Sequence, residues 1–142
     1  MTERTVAQKM GIKPGWRTHV LGAPDGVMQS LDLPPLDIQD ELTGEFDYLH
    51  LFVRTQAQMR QHLPALIPHL AVTGKLWLSW PKGRQAGSDL TLPRVIEIGY
   101  DLGLVESTCL RIDDTWSGLR LTHPKSGKVY ANSFGTLPGQ RP

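Results

Sequence analysis

Trp80-Pro81-Lys82-Gly83-Arg84 is the stretch of this sequence best equipped for chemistry. It offers a flat aromatic surface and two cations, followed by Gly87 and Ser88. Trp with Lys and Arg suits stacking on a planar ring while neutralising a phosphate or carboxylate. The plainer reading is that Trp80 plugs a sheet edge while Lys82 and Arg84 are solvated. Asp113-Asp114-Thr115-Trp116 comes second. Two adjacent carboxylates could act as a base or metal ligand, but neighbours on a turn diverge and no His or Glu spacing completes a metal set. Asp and Thr are also the residues that turns favour, through local side-chain to backbone hydrogen bonds. Trp116 is expected to be a packing anchor whose indole N–H finds a partner. The third stretch, Gly22-Ala23-Pro24-Asp25-Gly26, is a glycine loop with a proline inside it.

The remaining reactive residues do not form a set. His62 and His69 are too far apart on one helical pattern to share a metal, and His50 lies in an apolar run beside Phe52, where a hydrogen-bonded core histidine is expected. Cys109, flanked by Leu110 and Ile112, reads as an inert buried thiol. The chain contains no G-x-S-x-G, G-x-x-x-x-G-K-[ST], H-E-x-x-H or C-x-x-C. No catalytic residue and no metal site is therefore predicted.

The frame that must hold these residues is one domain of 142 residues. Apolar residues at 39% and charged residues at 20% exclude a disordered chain, and a net charge of +1 gives no electrostatic case for nucleic acid or an anionic membrane. One cysteine excludes a disulfide framework, and no apolar run is long enough for a membrane span or signal core, so a cytoplasmic protein is expected. Fourteen glycines and eleven prolines punctuate the chain without forming a linker. A single domain over 1–122 is expected, with a weakly structured tail over 123–142 in which Lys128 to Phe134 could add an edge strand.

Strand and helix signals alternate. Trp16 to Gly22 reads as a strand, followed by a helix from Pro24 to about Leu31 and a short strand at Leu36 to Asp40. Phe46 to Val53 is the clearest strand, with Phe46, Tyr48, His50 and Phe52 on one face and Leu49, Leu51 and Val53 on the other. Met59, Leu63, Leu66, Ile67 and Leu70 then mark a helix that Pro64 should kink and Gly74 should end. Lys75 to Trp80 is a buried strand, adjacent and parallel to Phe46–Val53. A second helical stripe from Thr91 to Leu102, closed by Gly103, precedes strands Leu104–Ile112 and Trp116–Thr122, whose short connection requires an antiparallel hairpin. The order predicts a three-layer α/β fold, an open and mostly parallel sheet of Rossmann type with a C-terminal antiparallel hairpin. Ligands of such sheets bind beyond the carboxyl ends of the parallel strands, which gathers Gly22–Asp25, Arg54-Thr55, Trp80–Asp89 and Asp113–Trp116 on one edge.

Val72 to Lys82 and Asp113 to Leu119 resemble signature stretches of a bacterial family of unknown function whose members carry LWVSWPK and DETWSGL motifs. Gly11–Gly15, Ala23-Pro24, Phe46–Val53, Asp89–Thr91 and Gly103–Val105 extend the likeness over about residues 8 to 122. Thr73 and Asp114 depart from it. The resemblance implies a fold like a shortened class I methyltransferase, and no reaction. Against that fold, Gly22–Gly26 is a poor cradle for a nucleoside cofactor, although Asp40 or Glu41 could bind ribose hydroxyls. Only 23 residues separate Gly22 from Phe46, too few for two further strand–helix units. The expectation is accordingly a non-enzymatic binding or protein-interaction module without a cofactor. Its partner would be a protein or a small anionic or nucleotide-like ligand, held by Trp80, Lys82, Arg84, Asp114, Trp116, Gly22 and Pro24. The alternative is a methyltransferase using S-adenosylmethionine. Oligomeric state is not legible.

Overall fold

The chain opens with a helix that apolar periodicity does not reveal, Val6–Met10 (α1). Thr5 and Gln8 cap it reciprocally: Thr5 Oγ1 accepts from the Gln8 N–H and Gln8 Oε1 accepts from the Thr5 N–H. A computed structural model of the protein describes residues 4–125, 127, 128, 130 and 134–138. After α1 come β1 (Arg17–Leu21), α2 (Val27–Ser30), β2 (Asp37–Ile38), β3 (Phe46–Phe52) and α3 (Gln56–Leu66). Then follow β4 (Leu70–Pro81), α4 (Leu92–Asp101), β5 (Val105–Arg111) and β6 (Trp116–Thr122). Short 3₁₀ segments at Ile67–His69 and Lys82–Gly87 flank β4.

One six-stranded sheet runs in the order β2-β1-β3-β4-β6-β5. β1 to β4 are parallel, and β6 is antiparallel to both β4 and β5. The central pair, β3 beside β4, is adjacent and parallel as expected, with His50 opposite Trp77 and Phe52 opposite Ser79. Helices cover both faces. On one, Leu49, Leu51, Leu76, Leu78 and Trp80 pack beneath Met59 and Leu63 of α3 and Val95 and Ile98 of α4. On the other, Tyr48, Phe52, Trp77, Ile112 and Trp116 pack beneath Met10 of α1, Val27 of α2 and nearby Leu31. This is the open α/β architecture with a C-terminal antiparallel pair that the element order predicts.

Several boundaries differ, each for a physical reason. Phe46 lies on the face opposite Tyr48, because pairing with β4 jumps from Phe46–Leu70 to Tyr48–Lys75 and turns the strand locally. Gly74 sits inside that irregularity and does not end α3. A Cβ there would stand 2.8 Å from Leu70 Cδ1 and 2.9 Å from the Phe46 carbonyl oxygen, so the glycine permits close strand approach. Pro24 precedes α2, which begins only after left-handed Gly26. Pro64 lies within α3, which runs on to Leu66 before tightening to 3₁₀. Cys109 is exposed, since its strand lies at the edge of the sheet, while partial burial raises its thiol pKa.

Beyond Thr122, His123 Nε2 lies 2.8 Å from the Leu70 carbonyl oxygen and Leu137 is buried against the α3–α4 core. Residues 129 and 131–133 of the edge strand expected at Lys128 to Phe134 lie outside the described residues. No helix among the described residues is long and apolar enough to cross a membrane.

Candidate functional site

Strand order reverses between β1 and β3, since the chain passes from β1 outward to β2 and then returns to the other side of β1. In open α/β sheets that reversal opens a crevice at the carboxyl ends of the two strands. Here β1 exits at Gly22 and β3 at Val53-Arg54, and a cavity of about 220 Å³ lies between them. Its lining includes Gly22, Phe52, Arg54, Gln58, His62 and Trp116.

Each lining residue is held by an identifiable contact. Gly22 has φ +81°, and a Cβ on it would stand 2.6 Å from the Phe52 carbonyl oxygen, so only glycine lets the loop after β1 rest on the end of β3. Thr55 caps α3 by accepting from the Gln58 N–H at 3.1 Å, and Gln58 Oε1 accepts from the Arg54 N–H at 2.7 Å. Gln58 and His62 are then four residues apart on one face of α3, facing the same cavity as Arg54. Trp116 is fixed from the hairpin turn, where Asp113 Oδ1 accepts from the N–H groups of Thr115 at 2.8 Å and Trp116 at 2.7 Å. The Arg54 guanidinium lies 5.7 Å above the Trp116 ring, and Phe52 meets that ring edge-on at 5.3 Å.

Beneath this wall runs a buried polar chain. Tyr48 Oη lies 2.6 Å from His50 Nδ1, and His50 Nε2 lies 2.7 Å from Ser79 Oγ. All three residues are fully buried, and His50 stacks on Phe52 at 4.2 Å. Burial lowers the His50 pKa to about 3 and raises that of Tyr48 above its ordinary value, so both are neutral near pH 7. The cavity thus joins one permanent cation, Arg54, to an aromatic wall and the polar side chains of Gln58 and His62. It suits an anionic or zwitterionic ligand with an apolar or cationic part set against the rings.

The residues singled out from sequence fall in two places. Gly22 and Trp116 line the β1–β3 cavity, whereas Trp80, Lys82 and Arg84 line a separate depression of about 450 Å³ with Leu90, Cys109 and Ser117. Trp80 is buried in the core. The Lys82 N–H donates to the Thr115 carbonyl at 2.8 Å, which brings the β4 exit against the hairpin turn. Asp114 points outward and pairs with Arg111 at 3.2 Å. Pro24 lines neither depression. Arg54 comes from a loop that the sequence places on this edge, whereas Gln58 and His62 join the site without being expected there. Their signal is a cation directly after the strongest strand, with polar residues following at four-residue intervals. A larger groove of about 610 Å³ beside β2, lined by Val20, Met28, Leu33, Leu36 and Ile38 among others, is largely apolar and shares no lining residue with the cavity at the exits of β1 and β3.

No family model matches the chain, and no curated protein matches it. Solved structures do share its fold. A ribosomal protein L11 methylase from Lactobacillus delbrueckii subsp. bulgaricus superposes with a TM-score of 0.57 at 14% identity, over 84% of this chain and 75% of that one. A TehB-like SAM-dependent methyltransferase from Corynebacterium glutamicum gives 0.53 at 10% identity, over 83% and 85%. LepI in complex with SAM gives 0.51 at 12% identity, over 84% of this chain but 39% of LepI. The fold is therefore methyltransferase-like.

These likenesses correct the expectation of a non-enzymatic module without a cofactor, because a SAM-dependent methyltransferase and a protein in complex with SAM share the fold, which favours the alternative. The physical error concerned where the chain is shortened. The 23 residues between Gly22 and Phe46 are too few for two further strand–helix units, and that shortness is what argues against a cofactor pocket in the sequence. The shortening instead falls at the outer edge, where β2 has two residues and a loop leads directly to β3. Arg17 holds that loop through the Thr43 and Glu45 carbonyls, and His19 Nδ1 contacts the Gln39 carbonyl. The cavity at the exits of β1 and β3 lies beside the loop after β1 and not within this edge loop.

Proposed function

We propose that this protein binds S-adenosylmethionine at the exits of β1 and β3 and is a small methyltransferase. The observation that carries the reading is the cavity lined by Gly22, Phe52, Arg54 and Trp116 at the point where strand order reverses. Likeness of fold to a SAM-dependent methyltransferase and to a ribosomal protein L11 methylase supports it. The lining fits the group in its chemistry. Arg54 suits the carboxylate of the amino-acid portion, Phe52 and Trp116 suit a sulfonium or a planar ring, and Gln58 and His62 add hydrogen-bonding capacity. At about 220 Å³ the cavity is smaller than the roughly 300–1,000 Å³ that encloses a drug-sized ligand. It would take one end of the cofactor, with the remainder beside Gly26, where a left-handed backbone borders open space. Bound there, the cofactor supplies an electrophilic methyl group. The neighbouring depression at Trp80, Lys82 and Arg84 suits an anionic acceptor.

Calorimetric titration with S-adenosylmethionine and S-adenosylhomocysteine tests this reading. A micromolar dissociation constant, about 8 kcal/mol of binding free energy, is expected. Arg54→Ala should weaken binding by about 1.5–3 kcal/mol, the scale of a hydrogen bond to a charged group. Lys82→Ala should leave cofactor affinity unchanged. Absence of binding at millimolar concentration overturns the proposal.

A further inference from the structure

Tyr48, His50 and Ser79 line none of the cavity, yet their chain ends against its wall. All three are fully buried, so none is exposed to a ligand. The His50 ring stacks on Phe52 with 13° between planes, and Phe52 meets Trp116 at 79°. Phe52 and Trp116 both face the cavity, with Arg54 over the latter. An imidazole bonded at both nitrogens cannot turn about its Cβ–Cγ bond without breaking two hydrogen bonds. Its plane is therefore set, and with it the plane of the ring stacked upon it. Both tautomers satisfy the two contacts; a phenol is the stronger donor of the two hydroxyls in water, which favours donation from Tyr48 to Nδ1 and a ring proton on Nε2 facing Ser79 Oγ.

The geometry points to His50 as a positioning residue that sets the aromatic wall of the cavity through Phe52, its tautomer selected by Tyr48 and Ser79. The origin of the arrangement is strand register. Residues 48, 50 and 52 share one face of β3, and β4 brings Ser79 opposite Phe52, two residue pairs along from where Trp77 meets His50. The role deepens the reading of the cavity as a cofactor site and rests on it only for the affinity measurement.

The test is made on the full chain. Nitrogen-resolved NMR of the His50 ring at neutral pH should show the Nε2-protonated tautomer, with Overhauser contacts from His50 to Phe52 and from Phe52 to Trp116. Ser79→Ala and Tyr48→Phe each remove one hydroxyl. In each, the Phe52 and Trp116 ring resonances should shift, and the S-adenosylhomocysteine dissociation constant should rise about tenfold, with circular dichroism unchanged. An Nδ1-protonated His50 in the wild type, or missing ring-to-ring contacts, overturns the proposal without any variant, so it is decided even where a substitution fails to fold. A folded Ser79→Ala protein with wild-type Trp116 resonances also overturns it, as do shifted resonances with unchanged affinity. If the wild type binds no S-adenosylhomocysteine, the cofactor reading fails while the ring resonances still decide the positioning role.

Discussion

His50 shows how much a single residue can depend on its surroundings. In sequence it is one polar residue in FDYLHLFV; in the fold it is an imidazole with both nitrogens bonded and no access to water. Burial lowers its pKa from 6.5 in a free chain to about 3. The unfolded chain therefore takes up a proton that the folded protein refuses, so the contribution of neutral His50 is complete above about pH 6.5 and is lost as pH falls toward 3. Urea unfolding of wild type and His50→Gln at several pH values isolates this effect from the other titrating groups. The stability advantage of the wild type should shrink by about 1.4 kcal/mol for each unit of pH between about 6 and 4. An advantage independent of pH would show that His50 is protonated in the fold or solvated.

At the scale of elements, the β3–β4 pair decides which side chains meet. Alternation in Phe46–Val53 is legible, but the register jump that moves Phe46 to the opposite face is not, because it arises from a close approach of two strands. Gly74 is where that approach is tightest, since a methyl group added to its Cα would lie 2.9 and 3.1 Å from the Phe46 and Ala71 carbonyl oxygens. Gly74→Ala should therefore destabilise the protein by about 1–3 kcal/mol, the usual cost of overpacking, seen as a lower denaturant midpoint at unchanged slope. A midpoint equal to that of the wild type would mean that β4 relaxes freely around this position. The α1 helix escapes a reading by periodicity because five residues carry too little of it. Its true signal is the Thr5–Gln8 capping pair followed by Gly11.

For the whole molecule, stability should be graded across the sheet. β3 and β4 are paired on both sides and covered on both faces, whereas β2 is a two-residue edge strand with Ile38 63% exposed. Amides of β3 and β4 should exchange with solvent only through global unfolding, and those of Asp37 to Gln39 through local opening, orders of magnitude faster. Uniform protection across the sheet in a hydrogen-exchange experiment would contradict this gradient.

Sequence by itself determined the class of fold, the alternation of elements, the central parallel pair and the antiparallel hairpin, because apolar periodicity and turn chemistry are local properties. The turn formed at Asp113 is local in the same sense. Only tertiary structure decided which loops make a site. Gly22 and Trp116 share a cavity with Arg54, Gln58 and His62, while Trp80 and Lys82 lie in another depression. Strand order and register bring distant residues together, and those depend on packing between elements that no local pattern encodes.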